Sequence, residues 1–305
     1  MENNSVINQV IILFIIIILG YYSRKRGILN KEINKGLSNL LLRVTLPFMI
    51  IASFNYKFSP ELLHNIKKIF IYSLIIHMVL IPLSKVFYYK YPKDNDKKDI
   101  LRFITVFSNS GFMGYPVLGS LYGKVGILYA SIFNIPFNIL SWTFGLMLFT
   151  KSDNSKNIKK IITNPGIISV FIGIFFFTFS IKLPYVIQNS LELVGSITVP
   201  ISMIIIGSML AEVKIKEVFR EKSIYYVSFV RLFLIPAITY IILSLIKADK
   251  LLINIAVIVE AMPAAAICSI FAESYDKNPE FASKGVFITT LLSVITIPIV
   301  ILFLK

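Results

Sequence analysis

Long apolar runs separated by short charged segments organise the chain from end to end. Ten such runs stand at roughly 6–22, 37–54, 67–89, 101–121, 126–150, 161–180, 186–210, 224–246, 251–272 and 283–304. Each is long enough to cross about 30 Å of hydrocarbon as a helix. The pattern predicts an all-α polytopic membrane protein with ten transmembrane helices. The longest intervening loops, near 23–36, 90–100 and 211–223, are short and charged and leave no room for a soluble domain.

The apolar runs carry a repeat. TLPFMIIASF (45–54) is echoed by TVPISMIIIGS (198–208), and FIYSLIIHMVLIPLSKVF (70–87) by YYVSFVRLFLIPAITYII (225–242). GFMGYPVLG (111–119) is answered by EAMPAAAIC (260–268). The proline landmarks recur at offsets of 153 (200 − 47), 154 (236 − 82) and 147 (263 − 116). The chain therefore reads as two five-helix repeats, 1–150 and 151–305. Five is odd, so the second repeat inserts upside down, and a twofold axis in the membrane plane is expected to relate the halves.

Composition agrees with this picture. The 305 residues are 56% hydrophobic with a mean hydropathy of +0.78, too apolar for a soluble domain. The net charge of +15 would suit nucleic acid, but its placement points elsewhere. Odd-numbered loops hold 20 Lys and Arg residues, against 8 in the even loops and termini. The positive-inside rule puts the odd loops in the cytoplasm and both termini outside a cell membrane. MENNSVINQ carries no basic residue, so the first run reads as a permanent helix and not as a secretory signal. Cys268 is the single cysteine, and His64 and His77 are the only histidines. There is no HExxH, GxSxG or P-loop and no metal-ligand cluster, so no enzyme, resident metal, cofactor or ATP-driven pump is expected.

Candidate chemistry lies where helices are expected to fail. In helix four, Pro116 follows Gly111 and Gly114, and the helix should unwind near Gly111–Pro116. In helix nine, Pro263 and Ala264 stand in EAMPAAA, with a break expected near Met262–Ala264. Unwound backbone in a bilayer is tolerated only inside protein or beside a wet cavity. If the two breaks cross at the twofold axis, half-helix N-termini would favour an anion, and half-helix C-termini a cation or proton donor. Ser108, Asn109 and Ser110 on helix four and Asn134, Asn138 and Ser141 on helix five supply polar neighbours. Asn109 is expected to line a polar cavity opposite Asn134 or Asn138. The ionisable residues inside spans are Arg43, His77, Lys85, Glu192, Arg231 and Glu260, costly in lipid and functional candidates by default. Glu260, His77 and Arg231 are the coupling candidates. Glu260 stands three residues before Pro263, and its structural alternative is a salt bridge to Arg43 or Arg231. His77 and Arg231 occupy equivalent repeat positions (231 − 77 = 154). Lys85 is expected to snorkel, Glu192 to be structural, and Cys268 to be a packing residue.

These residues resemble the auxin efflux carrier family, which includes plant PIN-FORMED proteins and bacterial organic-acid permeases. SNSGFMGYPVLGSLYG (108–123) is similar to its Asn-x-Gly-x-x-Gly-x-Pro signature, and 261–299 to its helix-nine-to-ten region. TLPFMIIASF resembles its helix-two segment, so the resemblance covers essentially the whole chain. It implies helices four and nine crossing at Pro116 and Pro263, a scaffold of helices one, two, six and seven that forms a homodimer, and an elevator-like transport domain of helices three to five and eight to ten. Asn109 would contact substrate. Many bacterial members carry an asparagine after the helix-nine proline, where this chain has Ala266, Ile267 and Cys268, and His77 is the nearest match to the plant carriers' charged pair in helix three.

The leading expectation is a secondary carrier of small organic anions such as malate or malonate, coupled to a proton, to sodium or to neither. The alternatives are a sodium-coupled carrier like the bile-acid symporters and a passive channel or facilitator. A non-transporting sensor would normally bring a soluble output domain.

Overall fold

The computed structural model describes residues 3–55, 59–90, 92–149, 163–212 and 221–304. The expected repeat boundary at 150/151 lies outside the described residues, as do the basic stretches 151–160 and 213–220. The described residues are helical, with one isolated bridge of extended backbone. Among the described residues six helical runs are long and apolar enough to cross a membrane: Lys31–Ser53, Pro60–Phe87, Ser110–Gly145, Tyr185–Ala211, Lys222–Leu245 and Pro279–Phe303. Large apolar side chains such as Ile15, Phe171, Leu193, Ile295 and Phe303 face outward. Exposure on this scale suits a lipid surface, not water.

Proline shapes three of these runs in one way. Pro47, Pro116 and Pro236 each follow, by two residues, a π-helical turn: Leu41–Thr45, Ser110–Gly114 and Val230–Leu234. A proline lacks an N–H and its ring strikes the carbonyl four residues back. That carbonyl belongs to Arg43, Phe112 or Leu232, the middle residue of each turn. The wider turn moves it aside and lets the helix continue.

The chain divides into two compact units, one made of 1–68, 111–132 and 162–213, the other of 69–110, 133–161 and 214–305. The first contains α1 (Asn3–Lys25), α2 (Lys31–Leu40) and α3 (Leu46–Ser53). It also contains α7 (Pro165–Thr178), α8 (Tyr185–Ser196) and α9 (Thr198–Glu212). Glycines bring these helices together, as expected where apolar surface alone gives no drive to associate in lipid. A Cβ on Gly207 would strike the Ile17 carbonyl, and one on Gly20 the Ile204 carbonyl, so α1 and α9 meet backbone to backbone. Gly195 lies against the Met49 backbone and Gly173 under the Phe54 ring, which seats α3 on α8 and α7. Asn34 Nδ2 donates to Ser208 Oγ at 2.8 Å and ties α2 to α9.

The second unit contains most of α4 (Pro60–Phe87), α5 (Asn95–Val106), α10 (Lys222–Phe229) and α11 (Ile235–Leu245). It also contains α12 (Lys250–Glu260), α13 (Ile267–Ser274) and α14 (Pro279–Phe303). α14 packs against α5, α10, α12 and α13, with Gly285 under the Ile104 side chain. The remaining helix, α6 (Tyr115–Leu140), starts in the first unit and ends in the second. It is interrupted at Gly123, whose φ of +59° and ψ of −145° are essentially reserved to glycine.

Two interruptions fall between aligned helices. α5 ends at Val106 and α12 at Glu260, an offset of 154 (260 − 106). Beyond Val106 the chain is extended at Phe107 and helical again from Ser110. Beyond Glu260 it stays non-helical until Ile267. The non-helical residues of helix four thus lie at 107–109, ahead of Gly111–Pro116, where the sequence predicted them. Gly111 sits in a π-turn and Pro116 is the second residue of α6, where its missing N–H costs little.

Candidate functional site

The two non-helical segments of the second unit pair with each other. Asn109 N donates to the Pro263 carbonyl at 2.7 Å, and Ala265 N donates to the Phe107 carbonyl at 3.0 Å. Ser108 and Ala264 form the antiparallel bridge between them. This pairing accounts for the non-helical backbone between α5 and Ser110. Backbone groups released from a helix inside a membrane must find protein partners, and 107–109 and 263–265 supply them to each other. Ala264 N also donates to Thr289 Oγ1 on α14 at 3.2 Å.

Arg231 holds the helix ends beside this bridge. It is fully buried on the π-turn between α10 and α11. Its Nη1 donates to the Thr105 carbonyl at 2.8 Å, its Nε to the Met262 carbonyl at 3.1 Å, and its Nη2 to the Glu260 carbonyl at 2.6 Å. Nη2 also donates to Glu260 Oε2 at 2.7 Å. One guanidinium therefore caps the C-terminal ends of both α5 and α12, where the helix dipoles favour a positive charge. The sequence placed a cation at these carbonyl ends; the cation found there is a side chain of the protein. Of the two partners considered for Glu260, the structure selects Arg231, while Arg43 is exposed in the first unit.

His77, buried on α4, approaches the same carboxylate from another side. Its Nδ1 lies 2.8 Å from the Ser73 carbonyl, which can only accept, so Nδ1 carries hydrogen. Its Nε2 lies 3.9 Å from Glu260 Oε1. Ser73 Oγ donates to the Phe133 carbonyl at 2.7 Å, which anchors α4 to α6. The rings of Phe107, Phe133 and Phe137 stand 5.9–6.3 Å from the imidazole.

Of the other candidates, Ser108, Asn109, Ser110, Asn134, Pro263 and Ala264 are all buried in the second unit. Asn138 is half-buried there, its Nδ2 donating to the Asn134 carbonyl at 2.8 Å. Gly111 and Pro116 fall in the first unit. Ser108 Oγ, Ser110 Oγ and Asn134 Oδ1 are buried with no hydrogen-bond partner among the described residues. Natively buried polar atoms are nearly always satisfied, so such orphans invite a ligand. Cys268 is buried and Glu192 takes hydrogen bonds from Lys124 at 2.5 Å and Gln188 at 2.6 Å. Lys85 borders an open groove with Lys90, Tyr89 and Tyr226.

Sequence reasoning missed the Thr105 and Met262 carbonyls, since every residue carries one. The offset of 154 between His77 and Arg231 was the available signal: it also aligns Val106 with Glu260, the two helix ends.

Comparison with known proteins places the chain among membrane transport proteins. The family model described as membrane transport protein matches residues 5–159 and 154–301. An uncharacterized transporter of Methanocaldococcus jannaschii is 26% identical over 298 residues, 94% of this chain and 95% of its own length. A candidate malonate transporter of Rhizobium meliloti is 30% identical over 140 residues, 46% of this chain and 43% of its own. Auxin efflux carrier component 7 of Arabidopsis thaliana is 24% identical over 139 residues, 44% of this chain and 22% of its own.

Proposed function

The chain belongs to the membrane transport protein family, that of the auxin efflux carriers, and from that premise we propose that it is a secondary carrier of small organic anions. It is a multi-pass membrane protein. The observation that carries the reading is the pairing of 107–109 with 263–265. An interrupted helix in each half of a duplicated membrane chain is the usual construction of a carrier's central site. Helical residues restart at Ser110, so the N-terminal end of a half-helix adjoins the buried Ser108, Asn109 and Ser110. Such an end favours an anion, and the orphaned Ser108, Ser110 and Asn134 oxygens offer it polar neighbours. A carboxylate suits this chemistry, and the name of the Rhizobium relative, a candidate malonate transporter, points to a small one.

In this reading the chain has ten transmembrane helices in two inverted repeats. The recurrence of helix ends at an offset of 154, and of prolines at offsets of 147 to 154, supports the repeat. The two compact units support an elevator mechanism in which the unit bearing Arg231 and Glu260 moves against a dimeric scaffold. Residues 111–132 group with the scaffold helices, so the moving part would be smaller than helices three to five and eight to ten entire. Coupling to sodium, as in a bile-acid-symporter-like carrier, is the weaker reading, because Arg231 already occupies the carbonyl ends where a cation would be held.

The test is uptake of labelled malonate and related dicarboxylates by proteoliposomes, with and without pH or sodium gradients. Saturable uptake, competed by a subset of the panel, is expected. Non-saturating flux would favour a facilitator, and no flux of any carboxylate would sink the reading. Asn109→Ala should weaken uptake about tenfold or more, the scale of a lost polar contact to a charged group, while the protein remains folded. Unchanged uptake would reduce Asn109 to a backbone role.

A further inference from the structure

We infer that His77 Nε2 and Glu260 Oε1 hold one proton between them, and that this pair is the coupling-proton site of the carrier proposed above. The inference rests on that reading only for its consequence in transport. The geometry poses the question by itself. Nδ1 of His77 donates to the Ser73 carbonyl, so in a neutral ring Nε2 is an acceptor. It faces Oε1 of a carboxylate, also an acceptor, at 3.9 Å. Both atoms are buried, and neither has a hydrogen-bond partner among the described residues. Two acceptors cannot satisfy each other, and leaving both unsatisfied in a buried site is costly. One proton turns the confrontation into a charge-assisted bond, once the side chains close by about 1 Å to the roughly 2.8 Å such bonds prefer.

Charge counting points the same way. The charged groups acting on His77 are Glu260 and Arg231, and its other neighbours are the Phe107, Phe133 and Phe137 rings and Ser73. Glu260 and Arg231 cancel. The C-terminal ends of α5 and α12, which converge on Arg231, each contribute roughly half a negative charge. They add negative charge beside the carboxylate, which favours a proton there. The proton belongs on His77, because placing it on Glu260 would leave the Arg231 guanidinium without its counter-ion.

Transport coupling follows. The proton is held while α4, the α10–α11 turn and the end of α12 keep this register. His77 and Glu260 lie in one compact unit, so movement of that unit would carry the proton with it and change the side from which it is exchanged. The bound species is the proton alone, so no redox partner or co-reactant is required.

The chain has two histidines, which makes the site directly observable. Full-length protein carrying His64→Gln and nitrogen-15-labelled histidine, in lipid nanodiscs, gives a single imidazole signal from His77. An imidazolium with hydrogen on both nitrogens is expected over a pH titration. Glu260→Gln should remove the second N–H, because the Gln amide can itself donate to Nε2. A neutral ring throughout, with hydrogen on Nδ1 alone, would overturn the inference, since a water bridging the two acceptors would then suffice. A proton that survives Glu260→Gln would overturn the pairing. If Glu260→Gln fails to fold, His77→Gln serves in its place: malonate flux should lose its response to a pH gradient, and flux that keeps the wild-type response overturns the coupling role. The resonance measurement needs no substrate, so it decides the proton site even if malonate is not carried.

Discussion

At the scale of single residues, Arg231 is the position on which most depends. Its guanidinium makes four hydrogen bonds to the ends of two helices and to Glu260. Removing one member of a buried ion pair strands the other, at a cost of about 3–5 kcal/mol. Arg231→Gln should therefore lower the thermal unfolding temperature markedly, and Glu260→Gln added to it should recover part of the loss by removing the stranded charge. A single variant as stable as the wild type would mean that the contacts are incidental. Lysine is not a substitute here, since one ammonium cannot reach three separated carbonyls with a planar fork. The sequence identified Arg231, His77 and Glu260, because charged residues within apolar runs are rare and stand out. It could not choose between Arg43 and Arg231 as the partner of Glu260. Both lie on other helices, and the choice depends on which turn faces which.

At the scale of elements, proline was the legible signal and its effect was only partly legible. Pro116 predicted disruption near itself, but a π-turn absorbs the proline locally, and the helix gives way at 107–109 instead. It does so because 263–265 offers hydrogen-bond partners there, and tertiary pairing of that kind is not written in helix four alone. Glycine was the less visible signal, and two positions test its role. At Gly123 the backbone torsions exclude a side chain without strain, so Gly123→Ala should cost about 1–3 kcal/mol, read from chemical unfolding. At Gly207 the torsions are helical and the constraint is contact with the Ile17 carbonyl. Gly207→Val should force α1 and α9 apart at a cost of about 1–3 kcal/mol, while Gly36→Ala on α2, where a side chain would meet nothing within 4 Å, should cost nothing. Equal losses at 207 and 36 would show that close helix approach is not what Gly207 provides.

At the scale of the whole molecule, the orientation in the membrane is the expectation with the most leverage, since it fixes which way the proposed carrier would move an anion and a proton. The odd loops hold 20 basic residues, against 8 in the even loops and termini. Basic residues close to helix ends resist translocation, so the richer side stays in the cytoplasm. Part of that count falls on 151–160 and 213–220, outside the described residues, but Lys31 and Lys93 on the basic side and Lys182 on the sparse side are described and exposed. Cys268, the single native cysteine, is buried, so Cys268→Ser gives a background without reactive thiols at the surface. On that background Lys182→Cys should react in intact cells with a maleimide that cannot cross the membrane. Lys31→Cys and Lys93→Cys should react only after the membrane is opened. The reverse pattern would place the basic loops outside and invert the direction of transport. Labelling of all three in intact cells would show that 182 and the basic loops share one side, and the odd number of spans per half, on which the inverted repeat depends, would then be wrong.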